Sequence, residues 1–330
     1  MLSLHDAQQI LGLYGVTVNT CLKSGAVITL LNHSSETKIS SSLFDKLTDA
    51  ASKVNVSSDL KLPDVSFGVE FEFVGDSSQL DKFNACMLKM FNDSYMYSGS
   101  YVHNKGDIWL LGRDGSIDTS PSKIDSAYSY ELSTPKLNLH NVSDCETLRE
   151  VIDLVKNVLH GEVNSSCGTH VHIGLPAEGL TKKKLRQLLC VYSMLESRVF
   201  DPLVPKSRRK NKYCKKTEAY LDLKYQKLST RYCEFDAECK CIKLHLECRQ
   251  LEGTLDTQLI FYWAHLQAMI IYDILTAIRT SNRSYLDCIC QLNAFDMLFK
   301  YHLGSTAVNQ FIDRIIRFKS RSIQSDYQRR

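Results

Sequence analysis

Three stretches of the chain each place two ionisable side chains two residues apart inside an otherwise apolar run: Glu70 with Glu72, His170 with His172, and Glu247 with Arg249. In Phe67-Gly68-Val69-Glu70-Phe71-Glu72-Phe73 the odd positions are apolar and the even ones are Gly or Glu, the period of a half-buried strand. Both carboxylates therefore share one face. Gly168-Thr169-His170-Val171-His172-Ile173-Gly174 repeats the arrangement with imidazoles, and Leu244-His245-Leu246-Glu247-Cys248-Arg249 repeats it with a carboxylate and a guanidinium. A sheet face of this kind cannot be covered by an apolar layer without a large desolvation cost, so it is expected to line a wet cavity or to hold cations. Several carboxylates from separate strands suit hard, partly hydrated Mg²⁺, and phosphoryl transfer needs chiefly positioning and the charge neutralisation that metals and an arginine supply. His-x-His also occurs in metallohydrolases, so residue types alone leave open a nucleotide-dependent ligase, a phosphotransferase and a metal-dependent hydrolase. The chain has no Gly-x-Ser-x-Gly, no P-loop and no Gly-x-Gly-x-x-Gly.

The elements that must carry these residues can be read from the surrounding pattern. A helix is expected near Leu80–Phe91, a strand at Asp107–Leu111, a turn at Arg113–Ser116, and a strand through Tyr128–Ser133 that Pro135 stops. Ser143-x-x-Glu146 has capping-box spacing and opens a helix with Leu148, Val151, Ile152, Val155 and Leu159 on one side. Further helices are expected at about Lys182–Phe200, Asp256–Arg279, Ser284–Tyr301 and Ser305–Phe318. Strands and helices interleave, but a charged face open to a cavity argues for an α+β fold on an antiparallel sheet rather than a parallel one covered on both sides.

Residues 1–62 read as a separate small helical domain, with short apolar-periodic segments at Leu4–Leu13, Leu22–Leu31 and Leu43–Val54, and Pro63-Asp64 as the boundary to a catalytic domain over 63–330. This segment faintly resembles a J-domain in Ile10-Leu11-Gly12-Leu13 and Phe44-Asp45-Lys46-Leu47, with His33-Ser34-Ser35 where the His-Pro-Asp signature would fall.

With 330 residues, 44% hydrophobic and 23% charged, and a formal net charge of +3, the composition is that of a globular protein and says little about partners. A secretory pattern and a run of 18 apolar residues are both missing, which leads to the expectation of a cytoplasmic protein with no membrane span. The twelve cysteines lie within periodic segments, as at Cys190 and Cys248, and fit a reducing compartment; the Cys233, Cys239, Cys241 cluster lacks a zinc-knuckle spacing. Lys206–Lys216 holds seven basic residues in eleven but only one Tyr. That is scant stacking surface for nucleic acid, and a cationic lid over a triphosphate is the expected use.

The order Gly68-Val69-Glu70-Phe71-Glu72-Phe73, Trp109, Asp114-Gly115-Ser116-Ile117, Tyr130-Glu131-Leu132-Ser133-Thr134-Pro135, Cys167-Gly168-Thr169-His170-Val171-His172-Ile173-Gly174, then Glu247-x-Arg249 leading to Gly253-Thr254-Leu255-Asp256 and Trp263, resembles the amidoligase family of the glutamine synthetase and glutamate–cysteine ligase superfamily. The likeness spans about Ser66 to Leu275. It implies an antiparallel sheet curved into a funnel, ATP with two or more Mg²⁺ (or Mn²⁺), and an amide bond formed between a carboxylate and an amine through an acyl phosphate. By the same resemblance Glu70, Glu72, Glu131, His170 and Glu247 would bind metal, and Arg249, Arg209, Lys224 and His170 would contact nucleotide. Arg249, His172 and Arg209 would serve the chemistry. The substrates implied are an amino acid, a peptide or a protein terminus. A Lys-Tyr like Lys224-Tyr225 is usually followed in the family by an Asn a few residues on, and here Ser229 stands near that place.

Overall fold

The computed structural model describes residues 64–100, 107–176, 178–209, 213–214, 234–235, 241–243 and 245–292, with single positions between 294 and 318. The expected helical segment over 1–62, Lys224 and most of the basic run after Arg209 lie outside the described residues. The chain separates into two compact units, one of Leu62–Arg186 with Ser207–Ala268, the other taking in Gln187–Lys206 and Met269–Arg330. All three charged pairs belong to the first.

That unit is an α+β assembly on one open sheet. In chain order its strands are β1 (Ser66–Asp76), β2 (Tyr95–Tyr97), β3 (Trp109–Arg113), β4 (Ala127–Ser133), β5 (Leu137–Asn138), β6 (Gly168–Gly174), β7 (Glu234–Phe235), β8 (Cys241–Lys243) and β9 (His245–Glu252). Six of them run in the order β2-β3-β4-β1-β6-β9, β5 pairs with the start of β1, and β7 and β8 form a separate two-stranded ribbon. Every pairing in the main sheet is antiparallel except β2 with β3, as the charged face led us to expect. β1 owes its central place to its aromatic odd positions: Phe67, Val69, Phe71 and Phe73 are fully buried, and Phe71, Phe73 and Tyr130 of β4 pack ring on ring.

Helices α1 (Leu80–Phe91) and α2 (Val142–Asn157) fall where the periodicity places them. In α2 the buried positions Leu148, Val151, Ile152 and Val155 form one stripe. The cap differs from expectation: Asn141, not Ser143, precedes the helix, and its side chain accepts the Ser143 amide at 3.0 Å. The same turn is tied by Asp144, which accepts the Asn138 amide at 2.7 Å.

The helix begun at Lys182 (α3, Lys182–Leu195) does not run regularly to Phe200 but widens into a π-turn at Glu196–Phe200. A short helix α4 (Lys206–Arg209) follows, then α5 (Thr257–Arg279) and α6 (Arg283–Gln291). The helix expected through Tyr301 ends at Gln291, where Leu292 turns to an extended ψ of 149. Asp273 of α5 is 4% exposed and accepts the hydroxyls of Tyr285 and Tyr301 at 2.9 and 2.8 Å, which compensates for burying the carboxylate. α5 is long and apolar enough to pass a test for a membrane span by length and composition, yet 72% of that window is buried within the protein. Cys86, Cys145, Cys167, Cys190, Cys214, Cys248, Cys288 and Cys290 are free thiols.

Candidate active site

Registry decides which side chains meet. β1 lies between β4 and β6, with Glu72 opposite Glu131 of β4, Glu70 opposite His170 of β6, and Gly68 opposite His172. On the far side of β6, His172 faces Glu247 of β9. Since side chains alternate across a strand, these even positions of β1 and β6 and the odd ones of β4 and β9 all rise from one face. The three pairs recognised as separate motifs thus form one cluster across four adjacent strands.

A bulge interrupts the β6–β9 ladder between Thr169 and Val171: Thr169 pairs with Leu251, while Val171 pairs with Cys248. Two residues of β9, Arg249 and Gln250, therefore sit opposite His170 alone. The irregularity explains why the alternation of β9 breaks after Arg249, and it keeps Leu246, Cys248 and Leu251 all buried.

His170 is the hub. Only 1% exposed, it sets Nδ1 at 3.3 Å from Glu70 and 3.8 Å from Glu247, and Nε2 at 3.4 Å from Glu72. His172 Nε2 lies 3.4 Å from the other Glu70 oxygen, and the Arg249 guanidinium donates to Glu247. Glu72 also accepts the Gly168 amide at 2.6 Å. The cavity face is drier than the sequence suggested. Glu72, Glu131 and Glu247 are each less than a tenth exposed, and the charges are carried by one another rather than by water.

This crowding splits the carboxylates. Burial raises Glu70, but the His172 charge and hydrogen bonds from both histidines outweigh it, so its pKa is held well below the ordinary carboxylate value. Glu72 is pushed up by burial and by Asp114, against the opposing pull of His170, the Gly168 amide and Arg208. Glu131 is pushed well up, first by burial and then by the charges of Glu70, Glu72 and Asp114. His172 is raised: burial lowers it, and Glu70 and Glu247 more than reverse that.

Among the described residues two donor sets are compact enough for a cation, Glu70 with His170 and Glu247, and Glu72 with Glu131 and His170; in each, one atom per residue falls within 4.8 Å of the others. Oxygen donors dominate both. This composition, a single imidazole among carboxylates, fits a hard divalent cation better than a thiophilic one.

Of the remaining expected residues, Asp114 lies in the turn after β3, where it accepts the Ser116 amide at 2.7 Å and adds negative potential to the cluster. Arg209 is half-buried in α4. The residue that α4 delivers against β6 is its neighbour Arg208, 2% exposed, whose Nη2 donates to the Arg249 carbonyl at 2.8 Å. We did not single out Arg208 from the sequence, because a four-residue helix in a basic run has no periodic signal to tell one arginine from the next. His245 was missed as well: its ring meets that of His172 at 4.9 Å, extending the cluster along β9. The pattern His245-x-Glu247-x-Arg249 carried that signal, one strand period upstream of the pair we chose.

A family model described as "Putative amidoligase enzyme" matches residues 63–234, a little over half of the chain. The chain belongs to this amidoligase family. The matched span carries Glu70, Glu72, Glu131, His170, His172 and Arg208, whereas Glu247 and Arg249 come from beyond it and join the same face only through the β6–β9 pairing. No curated protein matches the chain. Family membership indicates an enzyme of the ligase type.

Proposed function

We propose that the protein is an ATP- and Mg²⁺-dependent carboxylate–amine ligase. The observation that carries this reading is the convergence of four carboxylates, an imidazole hub and the Arg249 guanidinium on one sheet face of an amidoligase-family chain. The acidic side chains outnumber the fixed cations, so the face is built to take up positive charge. Glu70, His170 and Glu247 would hold one divalent ion, and Glu72, Glu131 and His170 another. A bound metal would supply charge neutralisation for the nucleotide phosphates.

In this reading a substrate carboxylate attacks the γ-phosphate of ATP, ADP leaves, and an amine displaces phosphate to give the amide. Arg249, at the rim of the cluster, neutralises the phosphoryl oxygens during transfer, with a planar donor pair suited to them. His172, polarised between Glu70 and Glu247, orients Glu70. The sheet itself is open among the described strands, and a funnel-like curvature of the glutamine synthetase kind remains part of this proposal.

The test is incubation with ATP, Mg²⁺ and pooled amino acids and peptides, followed by mass spectrometry for products lighter than the summed reactants by one water. ADP release that requires both a carboxylate and an amine supports the ligase. A stable phosphorylated product without amine would replace it with a phosphotransferase, and turnover without ATP with a hydrolase.

A further inference from the structure

We propose that Arg208 is the positioning residue of this site: its buried guanidinium, laid over the bare Cα of Gly168 and donating to the Arg249 carbonyl, fixes where the Arg249 guanidinium points. The functional consequence rests on the phosphoryl role of Arg249 proposed above; the positioning itself rests on geometry.

A side chain at position 168 would begin where Arg208 now lies. A Cβ built there would come 2.6 Å from Nη2 and 3.0 Å from both Cζ and Nη1, so the glycine is the floor on which the guanidinium rests. Arg249 is then gripped at both ends. Its carbonyl receives Arg208 Nη2 at 2.8 Å and the Cys214 thiol, while its own Nε donates to the Tyr213 carbonyl at 2.9 Å and its Nη1 to Glu247. Arg249 sits inside the bulge opposite His170, where the regular ladder is disrupted, so side-chain donors can set the backbone there. The Arg208 Nε makes no hydrogen bond while buried. Burying a guanidinium with one donor unspent is costly, and a solvated arginine would serve mere stability better. The arrangement is intelligible if its return is alignment. A lysine cannot replace it, because an ammonium on a flexible stem does not lie flat on a backbone or present a planar fork.

Arg208→Lys separates the possibilities. Steady-state ADP release should show kcat reduced about 10-fold or more, with KM for nucleotide within about 3-fold. Independently of turnover, the ¹H–¹⁵N resonance of Arg249 Nε should exchange with solvent about 10-fold faster or more, since the Tyr213 bond loosens when the carbonyl anchor is lost. If the variant does not fold, Gly168→Ala keeps the charge and displaces only the guanidinium, and the same two changes are expected. A folded variant of either kind with wild-type kcat and wild-type Arg249 exchange, and only a lower melting temperature, overturns the proposal. Absence of ATP turnover in the wild type would instead remove the ligase reading, and the exchange measurement would still decide the positioning.

Discussion

Arg249 has two demands on it, an ion pair with Glu247 and a hold on a group in transfer. If the second is its main use, Arg249→Lys should keep nucleotide affinity within a few fold and slow ADP release by roughly 10² or more, because lysine retains charge but loses the paired donors. A variant with near wild-type turnover and slightly reduced melting temperature would reduce Arg249 to a structural partner of Glu247. The carboxylates admit a sharper thermodynamic check. ATP with Mg²⁺ should raise the melting temperature of the wild type, a ligand that binds only the folded state stabilising it by mass action. Replacing both Glu70 and Glu72 by Gln should abolish that increment; the metal-free value should itself fall somewhat, because Glu70 loses its ion pairs with His170 and His172, and relief of repulsion with Glu131 offsets only part of that loss. Equal increments in the two proteins would remove these residues from the metal site. At this scale the sequence was informative where chemistry follows a period: alternating Glu and Phe in β1 specify a shared carboxylate face before any fold is known. It was silent on Arg208, whose burial depends on which side of a single helical turn meets Gly168.

Elements position the site through close backbone approaches that leave no room for side chains. Gly253, just past β9, donates its amide to the Cys167 carbonyl at 2.9 Å, and an added Cβ would lie 2.4 Å from the Cys167 Cβ and 3.1 Å from its backbone carbon. Gly253→Ala should therefore cost about 1–3 kcal/mol of stability, through overpacking between the ends of β6 and β9. Gly115, with nothing within 4 Å of its Cβ direction, provides the control, and its alanine variant should melt within error of the wild type. Chemical denaturation of both tests the contrast. The strands and α2 were legible because burial enforces their periods, and α1 was recovered to its ends. Cap and terminus details were not: Asn141 outcompetes Ser143 as a cap because Asp144 also secures the turn, and α6 stops at Leu292 against an apolar pattern that continues.

For the whole molecule, the candidate site lies entirely beyond residue 63, so a protein lacking residues 1–62 should keep metal-dependent ADP release. Complete loss in a truncated protein that still melts cooperatively would make that segment part of the active site. The pH response has a separate handle in His265 of α5, whose pKa is lowered by burial and by the neighbouring His140. The folded state thus takes up this proton less readily than the unfolded chain. No contribution is expected above the unfolded value of about 6.5, and stability should fall as pH drops from there toward the lower folded value. His265→Gln should flatten that part of the melting profile between pH 7.5 and 5.5 (about one unit either side of the unfolded value). An unchanged slope would show that other groups govern it. Membership in the amidoligase family was visible from the ordered motifs, whereas the division into two units was not, since the chain leaves and re-enters each of them.

The β9 bulge has an implication for how such a site could be gained or lost. The pairing sum of β6 and β9 changes by one across the bulge, from Thr169 with Leu251 to Val171 with Cys248. Deleting Gln250 alone would bring both halves into one continuous register, leaving Leu246, Cys248 and the former Leu251 in the same core positions. Such a single-codon deletion would keep the apolar face of β9 in register and yet withdraw Arg249 from the distorted backbone that Arg208 and Cys214 hold. A lineage could therefore lose or regain the Arg249 geometry through one indel, with the core-facing residues of β9 unchanged.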